Sequence, residues 1–259
     1  MADGADSIIF VGGAPRSGTT VAHALICTGD DVSAYAPEIS FFRGFMSAFR
    51  NGRAAWDQHT SAYFRDRDDF RDLIRETSDL ALRRIWTALG GRSILAVKDP
   101  HLTPFFPDLN LLYPDKARFV TVCRHPYDVV RSRQEVHDKS GLGRPFTVGD
   151  ASAVAREYVS YYQAVLRHGF GGRHFMFRYE DLNSDGLRAR LAAFAGLQGF
   201  DTSRMWGASA DKVDDDAWGS PKYNRAIDLT SRLSPLAPEF REGVAAICAP
   251  IMQRMGYQP

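Results

Sequence analysis

The sequence has few cysteines, no long apolar run and almost no excess charge. A membrane-spanning helix needs about 18 or more consecutive apolar residues, and the chain has no such run, so we expect no membrane span. Its three cysteines, Cys27, Cys123 and Cys248, are too few and too scattered for a disulfide framework or a zinc site. The net charge of +1 gives no general affinity for polyanions, so we expect local anion sites and no nucleic-acid partner.

Lysine is also scarce: five lysines stand beside 27 arginines, so a lysine inside a polar motif draws attention. Residues 1–7 are acidic and polar, unlike a signal peptide, which together with the low cysteine content leads us to expect a cytoplasmic protein. The 259 residues, of which 44% are hydrophobic and 24% charged, suffice for a proper core, and no low-complexity linker divides them. We therefore expect a single domain over residues 1–259.

Short apolar runs alternate with longer helical patterns, which is typical of an α/β protein with a mostly parallel sheet. Five short runs predict strands, at residues 7–12, 32–36, 93–97, 117–123 and 173–178. Six longer patterns predict helices, at residues 19–27, 68–89, 127–137, 151–168, 186–197 and 238–255. Between residues 199 and 234 the pattern is weak, and we expect a long, polar, partly mobile segment there.

A loop of glycine, hydroxyl and arginine residues follows the first predicted strand and reads G-A-P-R-S-G-T-T over residues 13–20. A strand, such a loop and a helix N-terminus together form an anion site, because free backbone N–H groups and the helix dipole attract negative charge. Glycines let a phosphate approach the backbone, and a guanidinium adds a fixed cationic fork. The alternative is a tight strand-to-helix turn that binds nothing.

The loop nearly fits the P-loop pattern G-x-x-x-x-G-K-[ST] of nucleoside-triphosphate enzymes, with Gly13, Gly18 and Thr20 in place. Thr19 stands where that pattern has the lysine that reaches the β- and γ-phosphates, and the cation, Arg16, comes three residues earlier. Such a loop is poorly equipped for γ-phosphoryl transfer but can hold a single terminal phosphate. A P-loop-type ATP-dependent kinase of a small molecule is therefore the alternative function.

A second motif begins where the predicted strand 117–123 ends. Arg124 lies at the carboxyl end of that strand, where ligands of parallel α/β sheets bind. Ser132 follows eight residues later, about two turns into a helix that Pro126 opens. The two side chains reach one phosphate only if the helix runs back across the strand end. Otherwise they are a helix-capping arginine and a solvated serine.

Together the two motifs resemble those of the PAPS-dependent sulfotransferase superfamily, where PAPS is 3′-phosphoadenosine 5′-phosphosulfate. The first family motif commonly reads P-[KR]-S-G-T-T, and residues 15–20 match it throughout. The second reads R-x-P-x-D-x-x-x-S, which is matched by Arg124, Pro126, Asp128 and Ser132. The resemblance implies a P-loop-like three-layer sandwich with a central sheet of about five strands flanked by helices.

The resemblance also implies roles for these residues. The 5′-phosphosulfate would be bound by Pro15, Arg16, Ser17, Gly18, Thr19 and Thr20. The 3′-phosphate would be bound by Arg124 and Ser132. A late segment, K-Y-N at residues 222–224, is similar to a PAPS-contacting loop of the family and adds Lys222 as a cofactor-binding residue.

Two further matches concern the reaction itself. Glu38 lies in E-x-x-F-F, similar to glycosaminoglycan sulfotransferases, and at the distance from the loop at which tyrosyl-protein sulfotransferases have their glutamate. In both groups this glutamate is the general base. Lys98 begins K-D-P, similar to the tyrosyl enzymes, where the lysine stabilises the transferring sulfuryl group. The resemblance extends over about residues 8–182, including the R-Y-E-D-L segment at 178–182.

The resemblance therefore implies in-line sulfuryl transfer with Glu38 as base, Lys98 and Arg16 stabilising charge, and Asp99 orienting Lys98. The apolar neighbours of Glu38, which are Ile39, Phe41 and Phe42, predict that Glu38 is partly buried. Burial of a carboxylate favours proton uptake. His101 is the alternative base, because phenol and steroid sulfotransferases carry a histidine two residues after a lysine. In this sequence the spacing from Lys98 to His101 is three.

The implied donor is PAPS, the product is PAP, and no metal is required. The acceptor is a hydroxyl of a small molecule or glycan, and the sequence does not identify it among carbohydrates, phenols, lipids and peptidyl tyrosine. The mixture of motifs argues against the cytosolic phenol type. Since we expect neither a signal peptide nor a membrane anchor, we expect a bacterial-type cytoplasmic enzyme and not a Golgi one. A third hypothesis is a module that binds a nucleotide or another anion without catalysis. The oligomeric state is not readable from the sequence.

Overall fold

The computed structural model describes residues 4–140, 143–205 and 235–258. Its centre is a parallel sheet in the order β2-β1-β3-β4. The strands are β1 (Ser7–Gly12), β2 (Ile94–Lys98), β3 (Ala117–Cys123) and β4 (His174–Arg178). The helices are α1 (Thr19–Ile26), α2 (Arg43–Ala54), α3 (Arg67–Ala88), α4 (Phe106–Leu112), α5 (Pro126–Lys139), α6 (Val148–Arg167), α7 (Asp185–Ala195) and α8 (Pro238–Arg254).

The predicted strand at residues 32–36 is wrong, and the described sheet has four strands where about five were expected. Val32 forms one isolated parallel bridge to Ile94. The hydroxyl of Ser33 then takes the place of the next backbone partner, accepting from Ala96 N–H at 3.0 Å and donating to Ala96 O at 3.3 Å. Ala34 N–H turns away to Leu89 O at 3.1 Å. A side chain therefore completes the edge of β2 where a strand was expected.

Helices cover both faces of the sheet, which confirms the three-layer α/β architecture. Alternate residues of each strand point to opposite faces, as the two-residue period of a strand requires. Ile9 and Val120 pack towards α1 and α7 on one face, whereas Phe10 and Phe119 pack into a larger core on the other. Six helices contribute to that larger core, namely α2, α3, α4, α5, α6 and α8.

Two helical segments were not predicted. The first is α2, and the second is the 3-10 helix Pro100–Phe105, which leads directly into α4. Shorter 3-10 turns lie at Ser40–Phe42, Thr60–Ala62, Tyr179–Asp181 and Thr202–Arg204. Among the described residues, no helix is both long and apolar enough to cross a membrane.

The strand order creates a switch point at the carboxyl edge of the sheet. The chain passes from β1 to β2 on one side and then to β3 on the other side of β1. Ligands of such sheets bind in the crevice outside the strand ends at the point where the order reverses. The loop after β1 and the segment after β3 therefore lie side by side at this edge.

Candidate active site

The loop after β1 is held by side chains from distant parts of the chain. Gly13 N–H donates to Thr103 Oγ1 at 2.7 Å, and Ala14 N–H donates to the Tyr162 hydroxyl at 3.1 Å. The Tyr162 hydroxyl donates in turn to Val122 O, at 2.9 Å, in the neighbouring strand β3. These bonds fix the start of the loop against the sheet edge, which leaves its later residues to meet a ligand.

Arg16 and Gly18 give the loop its shape. Arg16 has a φ of 74° and is the one non-glycine residue with positive φ in the described part of the chain, so its conformation is strained. Gly18, with φ 96°, is the N-cap of α1, and no side-chain cap is bound there. The first backbone N–H groups of α1 are thus available to an anion.

The structure brings the two predicted anion motifs together. Arg16 Nε donates to Ser132 Oγ at 3.0 Å, and Ser132 is 5% exposed. Helix α5 begins at Pro126, as predicted, and places Ser132 beside the loop. The alternative of a merely solvated serine is therefore wrong.

Arg124 approaches the same loop through an aromatic ring. Its guanidinium carbon lies 5.0 Å from the centre of the Tyr179 ring, and its Nε lies 3.5 Å from Asp128 Oδ2. Tyr179 lies so close against Gly18 that any side chain at Gly18 would collide with the ring. Tyr179 therefore connects the second motif to the first, a role that sequence reasoning missed although it singled out the R-Y-E-D-L segment.

Lys98 links the loop to Glu38. Its ammonium donates to Thr20 Oγ1 at 3.0 Å and to Glu38 Oε1 at 3.1 Å. The side chain of Lys98 is 4% exposed. Burial lowers the pKa of Lys98 below its ordinary value of 10.5, and the Glu38 carboxylate offsets part of this effect. The lysine that the sequence singled out is thus a buried cation between two predicted site residues.

Two predictions about this region are wrong. The Glu38 side chain is 43% exposed, because its neighbours Ile39 and Phe42 turn into the core while Glu38 faces out. Asp99 makes no described hydrogen bond to Lys98. Instead Asp99 caps the 3-10 helix by accepting from His101 N–H at 2.9 Å, and it pairs with Arg43 Nε at 3.1 Å.

His101, the alternative base, is engaged by another residue. Its Nδ1 is hydrogen-bonded to the Tyr161 hydroxyl, which lies 3.4 Å from Glu157 Oε1. Three tyrosines of α6, Tyr158, Tyr161 and Tyr162, are buried. Their hydroxyls also support the site, since Tyr158 donates to Arg124 O at 2.9 Å. Their i, i+3, i+4 spacing is the sequence signal for this shared direction.

The donor set suits an anionic ligand with two charged ends. Lys98 contacts the loop through Thr20, Ser132 contacts it through Arg16, and Arg124 lies over the Tyr179 ring, which packs against Gly18. Lys222, the remaining predicted contact, lies outside the described residues. No group of three or more His, Cys, Asp or Glu that could hold a metal ion is found within residues 4–140, 143–205 and 235–258.

Solved sulfotransferases share this fold. The chain aligns with the sulfotransferase domain from the curacin biosynthetic pathway at a TM-score of 0.52 and 18% identity, covering 97% of this chain and 98% of that one. A Mycobacterium avium sulfotransferase gives a TM-score of 0.58 at 15% identity, with 99% and 78% covered. A mouse sulfotransferase solved in complex with PAP gives 0.54 at 14% identity, with 97% and 86% covered. At these identities the likeness concerns the fold.

Sequence comparisons agree with this likeness. A Caenorhabditis briggsae protein named as a candidate protein-tyrosine sulfotransferase is 27% identical over 135 residues, which are 50% of this chain and 44% of that protein. The chain thus matches under half of that relative's length. A family model described as "Sulfotransferase family" matches residues 8–202, which include both anion motifs, Glu38 and Lys98. Because this match covers most of the sequence, the chain belongs to the sulfotransferase family.

Proposed function

We propose that the protein transfers the sulfuryl group of PAPS to a hydroxyl of an acceptor and releases PAP. One observation carries the proposal: the Lys98 ammonium bonds at once to Thr20 in the anion loop and to the Glu38 carboxylate. PAPS held by the loop and the base Glu38 would thus both contact the buried ammonium of Lys98. Family membership and the mouse relative solved with PAP support PAPS as the donor.

Donor binding would use both motifs. The backbone of residues 15–20, the Arg16 guanidinium and the hydroxyls of Thr19 and Thr20 would hold the 5′-phosphosulfate. Arg124 and Ser132 would hold the 3′-phosphate. The hydrogen bond from Arg16 to Ser132 supports this division, because it sets the two anion sites side by side.

The chemical step is an in-line displacement at sulfur. The acceptor oxygen forms the new S–O bond, the bond from sulfur to the bridging oxygen of PAPS breaks, and PAP leaves with that electron pair. Glu38 takes the acceptor's proton as the oxygen attacks. Lys98 and Arg16 offset the charge that builds up on the sulfuryl and leaving oxygens, and such positioning and electrostatic stabilisation carry most of the catalysis.

The structure favours Glu38 over His101 as the base. Glu38 contacts the buried cation that also meets the anion loop, and its exposed face is open to an acceptor. His101 is instead tied through Nδ1 to Tyr161 on α6. We assign to His101 a supporting role beside the acceptor.

The acceptor would approach from the side of Glu38. Phe41, three residues after Glu38, is 60% exposed. An exposed ring three residues from the proposed base supports an acceptor that combines a hydroxyl with an apolar or aromatic face, such as a phenol or a sugar. The carbohydrate, phenol, lipid and tyrosyl classes all have this character.

Calorimetric titration tests the donor. We expect PAP to bind tightly and Mg-ATP not to bind, because the loop lacks the lysine that reaches the β- and γ-phosphates. Arg124→Ala should weaken PAP binding by about 2–3 kcal/mol, as for a lost charged hydrogen-bond partner. Arg84→Ala, on an exposed face of α3, is the matched control.

Two outcomes would favour the alternative functions. Mg-ATP binding without PAP binding would favour the kinase, and PAP binding without transfer or hydrolysis of PAPS would favour a non-catalytic module.

A further inference from the structure

Cys123 and His125, the residues on both sides of Arg124, contact Tyr257, which follows α8. Tyr257 is 7% exposed, and its hydroxyl lies 3.9 Å from Cys123 Sγ. Its ring meets the His125 ring at a centroid distance of 5.2 Å, in an edge-on arrangement. Tyr257 lies beyond residues 8–202, which the family model matches. Its contacts with the second anion motif therefore come from a part of the chain outside that match.

Glu180 brings a carboxylate to the same place. Its Oε1 accepts from the backbone N–H of His125 at 2.9 Å, and its Oε2 accepts from the Tyr257 hydroxyl at 2.7 Å. Both oxygens are therefore occupied. The preceding residue, Tyr179, carries the ring over which the Arg124 guanidinium lies. Glu180 is thus one residue away from the group that contacts Arg124.

A second carboxylate on Arg124 would compete with a phosphate. Arg124 already faces Asp128, with 3.5 Å between its Nε and the carboxylate. Arginine pairs with carboxylates and phosphates through the same fork of N–H donors, so one occupant excludes the other. Glu180 adjoins Tyr179, which contacts Arg124, and Arg178 lies with its guanidinium carbon 5.7 Å from the centre of the Tyr257 ring. A Glu180 carboxylate released from its two partners would have these two arginines as competing cations.

We propose that Tyr257 is a positioning residue for the 3′-phosphate: its hydroxyl and the His125 N–H together hold the Glu180 carboxylate away from Arg124. The Arg124 guanidinium is then available to the ligand. The inference rests on the proposed function, because it assumes that Arg124 binds the 3′-phosphate of PAPS and PAP.

The test compares four proteins by titration with PAP and with AMP, which lacks the 3′-phosphate. They are the unchanged protein, Tyr257→Phe, Glu180→Gln and the double variant. Tyr257→Phe removes only the hydroxyl, and we expect it to weaken PAP binding about tenfold, the effect of losing one hydrogen bond to a charged group, with AMP binding unchanged. Glu180→Gln keeps the shape and removes the competing charge, so it should bind PAP at least as well as the unchanged protein.

The double variant separates positioning from general support of the fold. With a neutral Gln at position 180 there is no carboxylate to release, so PAP affinity should return to within about twofold of the unchanged protein. The proposal is overturned if Tyr257→Phe binds PAP normally, if it weakens AMP binding equally, or if the double variant binds no better than Tyr257→Phe. Failure of the unchanged protein to bind PAP would instead overturn the proposed function itself.

Discussion

Arg16 Nε donates a hydrogen bond to Ser132 Oγ at 3.0 Å and so joins two segments that are 116 residues apart in the sequence. Each segment, read alone, has an ordinary structural explanation as a turn or a helix start. Their contact places the two predicted anion motifs on one surface. Arg16 makes this contact from a backbone with φ 74°, the left-handed conformation that non-glycine residues rarely adopt.

This contact predicts energetic coupling between the two motifs. Arg16→Ala and Ser132→Ala should each weaken PAP binding, and the double variant should lose about 1 kcal/mol less than the sum of the two, because the shared bond is counted twice. The measurement is a double-mutant cycle by calorimetry. Ser160→Ala, which removes a hydroxyl bonded within its own helix, is the control and should leave binding unchanged. Strictly additive losses would show that the contact does not matter for the ligand.

Replacing the two candidate bases should separate their roles. Glu38→Gln keeps the hydrogen bond to Lys98 and removes the proton acceptor, so kcat should fall by about 10²–10⁴ while PAP still binds. His101→Gln should lower kcat by less than about tenfold, because it disturbs a positioning contact. The readout is the initial rate of PAP release, and Glu76→Gln on exposed α3 is the control. The reverse order of the two effects would make His101 the base.

The lowered pKa of Lys98 predicts an alkaline limit on activity. Burial is the main cause, and the ammonium is the form that donates to Thr20 and Glu38. Activity should therefore fall as the pH rises through this lowered pKa, below the ordinary lysine value of 10.5. Lys98→Arg keeps its charge to higher pH and should move this limb upward. The measurement is kcat between about pH 7 and pH 10 for both proteins, and coinciding alkaline limbs would contradict the assignment.

His23, fully buried in α1, predicts a loss of stability in acid. Burial and the neighbouring Lys98 charge lower the pKa of His23 to about 3, against an ordinary value of 6.5. Below pH 6.5 the unfolded chain takes up a proton that the folded chain does not. The free energy of unfolding therefore decreases as the pH is lowered. Between pH 7 and pH 5 this amounts to about 2 kcal/mol.

Urea unfolding of the unchanged protein and of His23→Gln at both pH values measures this difference. The variant should lose about 2 kcal/mol less over the interval, whatever its stability at neutral pH. His59→Gln, at an exposed position, is the control. An identical pH dependence for the unchanged protein and His23→Gln would exclude His23 as the source.

The periodic part of the fold could be predicted from the sequence. β1 and β3 have the predicted bounds, and the six predicted helices are present within a few residues. The two missed helical segments have weak local signals. α2 contains Gly44 and Gly52 and is supported by the burial of Met46 and Phe49, and prolines interrupt the segment at 100–112. In both, tertiary packing outweighs low helix propensity.

The candidate site shows the same division. The types of residue that hold anions could be recognised from spacing, because loop and helix geometry are local. Which side chains meet could not, since the bond between Lys98 and Glu38 and the ring of Tyr179 against Gly18 depend on how distant elements pack. The error over Asp99 has this cause: its neighbour in sequence is Lys98, but its partners are His101 N–H and Arg43.

The Ser33 hydroxyl, which takes the place of an edge strand, also prevents other copies of the chain from pairing with this edge of the sheet. An open strand edge offers unpaired N–H and C=O groups on which a second chain can assemble. On the outer side of β2, Ile94 is paired with Asp31 O and Ser33 N–H, Ala96 with the Ser33 hydroxyl, and Lys98 O with Ile39 N–H. This border of the sheet is therefore closed to intermolecular strand pairing, and one buried serine, Ser33, provides three of the bonds that close it.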